Sequence, residues 1–486
     1  MSNFVVQFPL RTEKHQEDIL DRRFKIGRYI YNSLVTITQN RYKEMIKTKR
    51  YRNLLAQLTG DKEKDKSIWK EIGLMRKEYN LTEYSFHRDV KKLQKHFSKN
   101  IDAFTAQKIA TELWKSYDKF FFGNGKAVHY KRHDGINSLE GKSNTTGIRF
   151  KDDVLIWKGL NIPVDIDYEN PYEYQATQSE ISYCRIVRKY VKRKYKYYLQ
   201  IVFKGIPPKK IDKTTGEIKH PIGKGDVGID IGTSTIAYAA TNDVKILELA
   251  DMVQSIEDKK RRLLRKMDRS RRATNPDNFK EDGTIKKQGN KKVSWVFSNH
   301  YKKNREQLKE LYRKQADVRK YQHECLANEI VSLGDTIYVE QMSFQGLAKR
   351  AKKTETNDKG KFKQKKRFGK TIANRAPAML LEIIDRKLAY EGKSLVKIDT
   401  CSAKASQFNH VDETYTKKKL SQRWNYINGY KIQRDMYSAF LIMNVNTDLK
   451  SFDIEKCNGR FDKFYELHNK EVHRLSNHKN LKSIGI

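Results

Sequence analysis

Cysteine is scarce, and the four present, Cys184, Cys325, Cys401 and Cys457, are scattered. No Cys-x-x-Cys pair exists to grip zinc, no disulfide framework is suggested, and a reducing cytoplasm is the natural compartment. Long apolar runs are also missing. No stretch approaches the roughly 18–20 residues that span a bilayer, and the N-terminus lacks the charged and apolar segments of a signal peptide, so membrane function is not expected. Acid is the third shortage: 59 Asp and Glu stand against 100 Lys and Arg, a formal charge of +41 with a pI near 9.8. That excess goes far beyond what solubility requires and points to a polyanionic partner. The 27 tyrosines, where interleaved with Lys and Arg, can stack on bases or sugars while the cations neutralise phosphate. At 486 residues the chain is ample for more than one hydrophobic core.

The stretch from Val227 to Ala240 organises the rest. It reads as a short apolar strand interrupted by one acid, Asp230, a tight turn at Gly232-Thr233-Ser234 and a second strand, with a third candidate from Val244 to Leu249, together an antiparallel meander. A buried carboxylate needs a cation. A second acid ends the β-branched strand Thr336 to Glu340. A third, Asp435, lies in the first turn of a helix whose apolar run, Met436 to Met443, reads as buried. Each has a plain structural reading: Asp230 as an acceptor near a turn, Glu340 as a solvated strand end, Asp435 as a first-turn acid favoured by the helix dipole. Gly228-Ile-Asp-Ile-Gly-Thr233 also resembles the phosphate-binding opening of sugar kinases and actin-like ATPases, although no second phosphate loop or adenosine-binding glycine motif supports that reading. Gly223-Lys-Gly-Asp-Val-Gly228 matches a dinucleotide fingerprint but precedes a strand instead of following one, and is rejected.

Taken in order, Phe4 to Leu10 reads as a lone strand. Helical spacing with many Lys and Arg then runs from Phe24 to about Phe122. Strands follow at 147–151, 154–157, 162–167, 184–191 and 197–203, the last two as a hairpin; with the first strand they are read as closing a small barrel. A basic helix around Lys259 to Lys266, a polar excursion at 275–292 and a long helix through Leu308 to Ile330 separate the first two acids. The segment 349–370, without apolar period, reads as a mobile loop, followed by a helix from Thr371 to Glu391 and a strand from Ser394 to Ile398.

An Asp on a first strand, a Glu on a later strand and an Asp at a helix start, in that order, resemble the RuvC nuclease arrangement within the ribonuclease H-like fold. Lys266-Met-Asp-Arg-Ser-Arg-Arg-Ala-Thr-Asn-Pro276, Phe344-Gln-Gly-Leu347 and Gln433-Arg-Asp435 are similar to segments of the TnpB transposon nucleases and the related miniature type V CRISPR effectors, and the similarity covers most of the chain. It implies a multidomain α+β protein: a wedge β-barrel from 1–20 and 138–222 with its linker, a helical recognition lobe at 21–137, a RuvC-like α/β nuclease at 223–400, a target-nucleic-acid-binding module at 401–432 and the final nuclease helix and tail at 433–486. Many members carry two Cys-x-x-Cys pairs in the module. This chain has only Cys401 there, so no zinc is expected.

The resemblance further implies an RNA-guided DNA endonuclease of prokaryotic cytoplasm, in which guide pairing reads sequence while the protein reads a short flanking motif. Asp230, Glu340 and Asp435 would be both catalytic residues and metal ligands, holding two Mg²⁺ about 3.5–4 Å apart, with Mn²⁺ able to substitute. Lys266, Arg269, Arg271 and Arg272 on the basic helix, and Lys417, Lys418, Lys419 and Arg423 beside Trp424 and Tyr426, would bind nucleic acid. The partners are guide RNA and target double-stranded DNA, with one copy or a homodimer on each RNA. The competing readings are a guided DNA-binding regulator without cleavage, an actin-like or sugar-kinase-type ATPase, and a transposase.

Overall fold

Phe4, Val6 and Phe8 turn inward while their neighbours stay outside along β1 (Asn3–Pro9), the period of a half-buried strand. In the computed structural model, residues 3–61, 63–123, 125–286, 289, 293–351, 353–357, 360, 362, 368–419 and 421–477 are described. They fall into two compact units, Met1–Gly216 and Glu217–Ile486. In the first, β1 leads into α1 (Lys14–Lys47), which opens with a capping box between Glu13 and Gln16. Helices α2 (Lys49–Ala56), α3 (Lys66–Glu78), α4 (Glu83–His96) and α5 (Ala103–Phe121) follow, and their apolar stripes bury Leu34, Ile72, Phe86, Leu113 and Tyr117 in one core. Next come β2 (Ser138–Glu140), β3 (Arg149–Lys151), β4 (Val154–Trp157), β5 (Leu160–Pro163), α6 (Pro171–Thr177) and a hairpin of β6 (Ile181–Val191) and β7 (Lys194–Lys204). The hairpin turns on Lys192 and Arg193, both at positive φ (47° and 68°), a conformation usually given to Asn-Gly.

The expected barrel does not close. Among the described residues the strands form a four-stranded sheet, β1-β7-β6-β2, and a separate three-stranded meander, β3-β4-β5. A single bridge, Leu10 to Val164, joins β1's end to β5's. Pro9 and Pro163 precede the bridging residues, and a proline donates no ladder hydrogen bond, so pairing stops there.

The second unit is built on a five-stranded sheet in the order β10-β9-β8-β11-β12. β8 (Asp226–Ile231), β9 (Thr235–Ala240) and β10 (Val244–Glu248) are the antiparallel meander. α7 (Val253–Thr274) and the 35-residue α8 (Asn299–Leu333) lead to β11 (Thr336–Glu340), parallel to β8. Short α9 (Phe344–Leu347), then α10 (Gly369–Arg375) and α11 (Pro377–Ala389), precede β12 (Val396–Ile398), parallel to β11. The segment 349–370 lies partly outside the described residues. The single helix expected from Thr371 to Glu391 is two, because Ala376 adopts the left-handed conformation (φ 48°) directly before Pro377, and a residue before proline is pushed out of the right-handed helical region.

Valines and isoleucines at alternate positions, Val227, Ile229, Ile337 and Val339, face one core with α8 and α11. The opposite face carries Ala237, Ala239 and Val244 into a second core. That core is filled by α13 (Arg434–Met443) and α14 (Ile454–Ser476). Between β12 and α13 lie α12 (Thr400–Ala403), the two-residue strands β13 (Phe408–Asn409) and β14 (Thr414–Tyr415), and a hairpin of β15 (Trp424–Ile427) and β16 (Tyr430–Gln433). Among the described residues no helix is long and apolar enough to cross a membrane.

Candidate active site

The placement of the three acids follows from strand alternation and one glycine. On β8, Val227, Ile229 and Ile231 point to the α8 and α11 core, so Gly228 and Asp230 share the other face. A Cβ on Gly228 would lie 2.1 Å from the Ala439 carbonyl oxygen and 2.3 Å from the Met443 nitrogen, so α13 rests directly on the backbone of β8. Without that contact the N-terminal turn of α13, with Asp435, would not be lowered towards Asp230. On β11 the register pairs Tyr338 with Gly228 and Val339 with Ile229, which sets Glu340 beside Asp230 on the neighbouring strand. Tyr338 packs against the α13 core, so Glu340, two residues on, shares its face. A glycine inside an otherwise apolar strand was the available sequence signal for this close approach.

Asp230, Glu340 and Asp435 each keep partial exposure. The Asp230 carboxyl is pushed well above the usual carboxylate range, first by desolvation and then by the charges of Asp435 and Glu340; the Arg434 charge and the Ser438 hydroxyl pull the other way. Burial also raises the Glu340 carboxyl. Asp435 accepts from its neighbour Arg434 (Nε and Nη2 to Oδ1, 3.1 and 3.0 Å) and from Arg423 (Nη1 to Oδ2, 3.4 Å). Among the described residues, no three or more His, Cys, Asp or Glu side chains are drawn together closely enough to hold a metal ion. The three acids therefore interact through their charges while Asp435 is balanced by arginine. By donor chemistry alone, three carboxylates are an all-oxygen set of the kind that suits Mg²⁺ or Mn²⁺.

A cavity of about 600 Å³ opens beside Glu340, at the C-terminal ends of β11 and β12, with Phe344, Leu381, Glu382 and Asp399 in its wall. Clefts at carboxyl ends of parallel strands are common ligand sites. Asp399 is engaged locally, its carboxyl held below the usual range by the Ser402 hydroxyl and the Cys401 amide. Glu382 and Asp399 reach this wall from α11 and from the residue after β12, and no local sequence pattern sets them apart from other acids.

The basic residues divide. Lys266 and Arg269 are exposed on α7. Arg271 and Arg272 both bond Asp268 (2.6 and 2.8 Å), Arg272 also bonds the Gly283 carbonyl (2.9 Å), and their guanidinium groups lie over Trp295 and Phe279. These two pin the excursion after α7. Lys417 and Lys419 are exposed and Lys418 half-buried. Burial, followed by the Arg434 charge, lowers the Lys418 ammonium, while Asp412 acts the other way.

The module at 401–432 is held to the rest of the second unit by aromatic packing. Phe408 contacts Tyr415 and Phe452, Tyr430 contacts Phe461 and Tyr465, and buried His410 meets Phe461 and bonds the Tyr437 hydroxyl (2.6 Å). Burial pushes His410 down to about 4, so it is neutral at physiological pH. Cys401 is exposed. Prolonged treatment with a zinc chelator should accordingly leave the thermal unfolding midpoint unchanged, and metal analysis should find no stoichiometric zinc; one zinc per chain would contradict this.

No family model matches the sequence, and no curated protein does. Solved structures similar to the chain include a CRISPR-Cas12f ternary complex, at 12% identity and a TM-score of 0.25, covering 88% of this chain and 82% of that one. A Cas12i–crRNA–dsDNA complex follows at 10% identity and TM-score 0.24, covering 95% and 65%. A Cas12i1 R-loop complex before target DNA cleavage stands at 10% and 0.25, covering 93% and 61%.

Proposed function

We propose that the chain is an RNA-guided DNA endonuclease resembling the TnpB and miniature type V CRISPR nucleases, with one RuvC-like site formed by Asp230, Glu340 and Asp435. The observation that carries this reading is the gathering of three acids, from β8, β11 and the first turn of α13, onto one face of a sheet in which an antiparallel meander is continued by parallel strands. A structural role explains poorly why the desolvated Asp230 should share one face with two further carboxylates whose charges raise it further. A net charge of +41 supplies the affinity for nucleic acid that the acidic centre alone would oppose.

In this reading Asp230, Glu340 and Asp435 would hold two divalent cations of the Mg²⁺ class, and when bound these would supply water activation and charge stabilisation at the scissile phosphate. The remaining steps belong to the chain. Lys417, Lys418 and Lys419 draw a single strand toward the acids, and Tyr426, 72% exposed, offers a ring for a base. The first unit would carry the guide: α3 and α4 expose Trp69 and Tyr84 among their lysines and arginines, as a surface for stacked and paired RNA would. We assign 1–20 with 138–222 to the wedge role and 21–137 to the recognition lobe, the wedge now being two sheets and not a barrel.

Sequencing RNA that copurifies with the protein, then offering a plasmid that matches its guide segment, tests the proposal. A recurrent scaffold with a variable end, and cutting that depends on it, are expected; protein free of specific RNA would overturn it. One centre cannot engage two antiparallel strands at once, so the strands should be cut in sequence. Replacing Lys417, Lys418 and Lys419 together by Ala should therefore slow the second cut more than the first, by roughly tenfold if each lysine contributes a modest phosphate contact. Nicked circles should then accumulate from supercoiled plasmid while guided binding persists. Linear product forming at the wild-type rate would assign these lysines to a structural cap.

A further inference from the structure

Both carboxylate oxygens of Asp435 are engaged by arginine, and the two arginines are not equivalent. Arg434 lies next to Asp435 in sequence, and its side chain is 12% exposed. It is also tied through Nη1 to the carbonyl oxygens of Gln422 and Lys419 (3.2 and 3.5 Å). It cannot leave without dismantling the turn it closes. Arg423 reaches Asp435 from the start of the β15–β16 hairpin through one contact of 3.4 Å, from a side chain 35% exposed. A single long contact from a half-exposed side chain is weak, because solvent screens it and the long side chain loses entropy by holding still. Arg423 also follows directly on the basic run at 417–419, and Trp424 beside it carries the Lys431 ammonium over its ring at 4.6 Å. A strand drawn along this surface brings a fixed negative charge to the one guanidinium in the centre that is able to move, and a planar guanidinium binds phosphate in bidentate fashion.

We propose that Arg423 is a strand-displaced guard on Asp435: it occupies Oδ2 until the phosphodiester of a loaded strand draws it away, leaving that oxygen for a cation. This inference rests on the metal-site reading given under the proposed function and adds to it a coupling between strand arrival and cation affinity. The coupling is reciprocal, so a strand that tightens cation binding by some factor must itself be bound tighter by the same factor when the cation is present. Because the contact is weak, the factor should fall at the low end of the usual range, about fivefold. The consequence is graded: a strand lying across the centre raises its cation occupancy at any given cation concentration.

The test reads Mn²⁺ affinity by electron paramagnetic resonance, using full-length protein with its copurified RNA, at 4 °C, with strand integrity followed on gels. Adding a deoxythymidine dodecamer should raise wild-type Mn²⁺ affinity about fivefold, whereas the same strand with a neutral methylphosphonate backbone should not. Arg423→Gln should show the raised affinity without any strand and gain nothing further from the dodecamer. Arg423→Lys, which retains the charge, should retain part of the strand response and serves if the glutamine variant is poorly folded. Equal Mn²⁺ affinities for wild type and Arg423→Gln without strand, or an unchanged strand response in the variant, would overturn the guard role while leaving the metal site standing. Mn²⁺ binding that persists unaltered in Asp435→Asn would remove the metal-site reading itself, and the guard with it.

Discussion

Replacing Asp230, Glu340 or Asp435 singly by Ala should abolish guided DNA cleavage while leaving guided DNA capture intact. Removing a group that merely orients a metal ligand costs about 10–100-fold, so loss of a direct ligand should cost at least about a hundredfold. Binding should hold for an electrostatic reason. Each substitution removes a negative charge from a centre that a phosphate backbone must approach, so capture should stay the same or tighten slightly. Asp230→Ala is the most informative, since Asp435 and Glu340 both act on its carboxyl. Its removal should also relieve repulsion in the metal-free protein, so the thermal unfolding midpoint should rise or stay level. Plasmid cleavage and filter binding, run on the same preparations, check both halves. A variant that cuts within a few-fold of wild type excludes its residue from the centre, and loss of binding in step with cleavage would show that the acids hold the fold and not the cation.

Gly228→Ala should be nearly as damaging, although it touches no acid. The added methyl would meet the Ala439 oxygen at 2.1 Å, the Met443 nitrogen at 2.3 Å and the Met443 Cα at 2.9 Å, all backbone atoms of α13 that no rotamer change moves. The helix must lift off the sheet. Overpacking of this kind typically costs about 1–3 kcal/mol, and a contact with helix backbone belongs at the upper end. The lift would also carry Asp435 away from Asp230, and a displacement of about 1 Å at a reacting centre can cost about a hundredfold in rate. Gly459 provides the control. It sits within α14 with nothing within 4 Å of its Cβ position, so Gly459→Ala should stabilise by about 0.5–1 kcal/mol, because alanine loses less conformational freedom in a helix. Opposite shifts of the unfolding midpoint for the same chemical change are the expected result; equal shifts would mean that α13 does not rest on Gly228.

Much of the second unit was legible because its signals are local. The strand of Asp230, its turn at Gly232, the strand ending on Glu340 and the buried helix after Asp435 each show in a window of a few residues, and all four form where the periodicity places them. What escaped depended on distant partners or on a single proline. The Arg423 contact with Asp435 spans 12 residues and a hairpin, and nothing in the run Lys417 to Arg423 marks one cation as different from the rest. The aromatic packing around His410 and Phe461 joins segments about fifty residues apart, so the scarcity of cysteine was visible but the packing that holds this module was not. The break at Ala376 and the unclosed barrel were written in Pro377, Pro9 and Pro163, whose missing donors and fixed geometry outweighed the apolar pattern around them.

The most direct measurement of the central claim is a guide-exchange experiment in the presence of Mg²⁺. Protein is assembled with the copurifying RNA scaffold carrying either of two guide segments and offered two plasmids, each matching one of them. The account predicts that cutting follows the guide, that each assembly leaves the other plasmid supercoiled, and that Asp230→Ala captures the matched plasmid without cutting it. Cutting of both plasmids irrespective of guide, or cutting by the Asp230→Ala assembly at the wild-type rate, would contradict it.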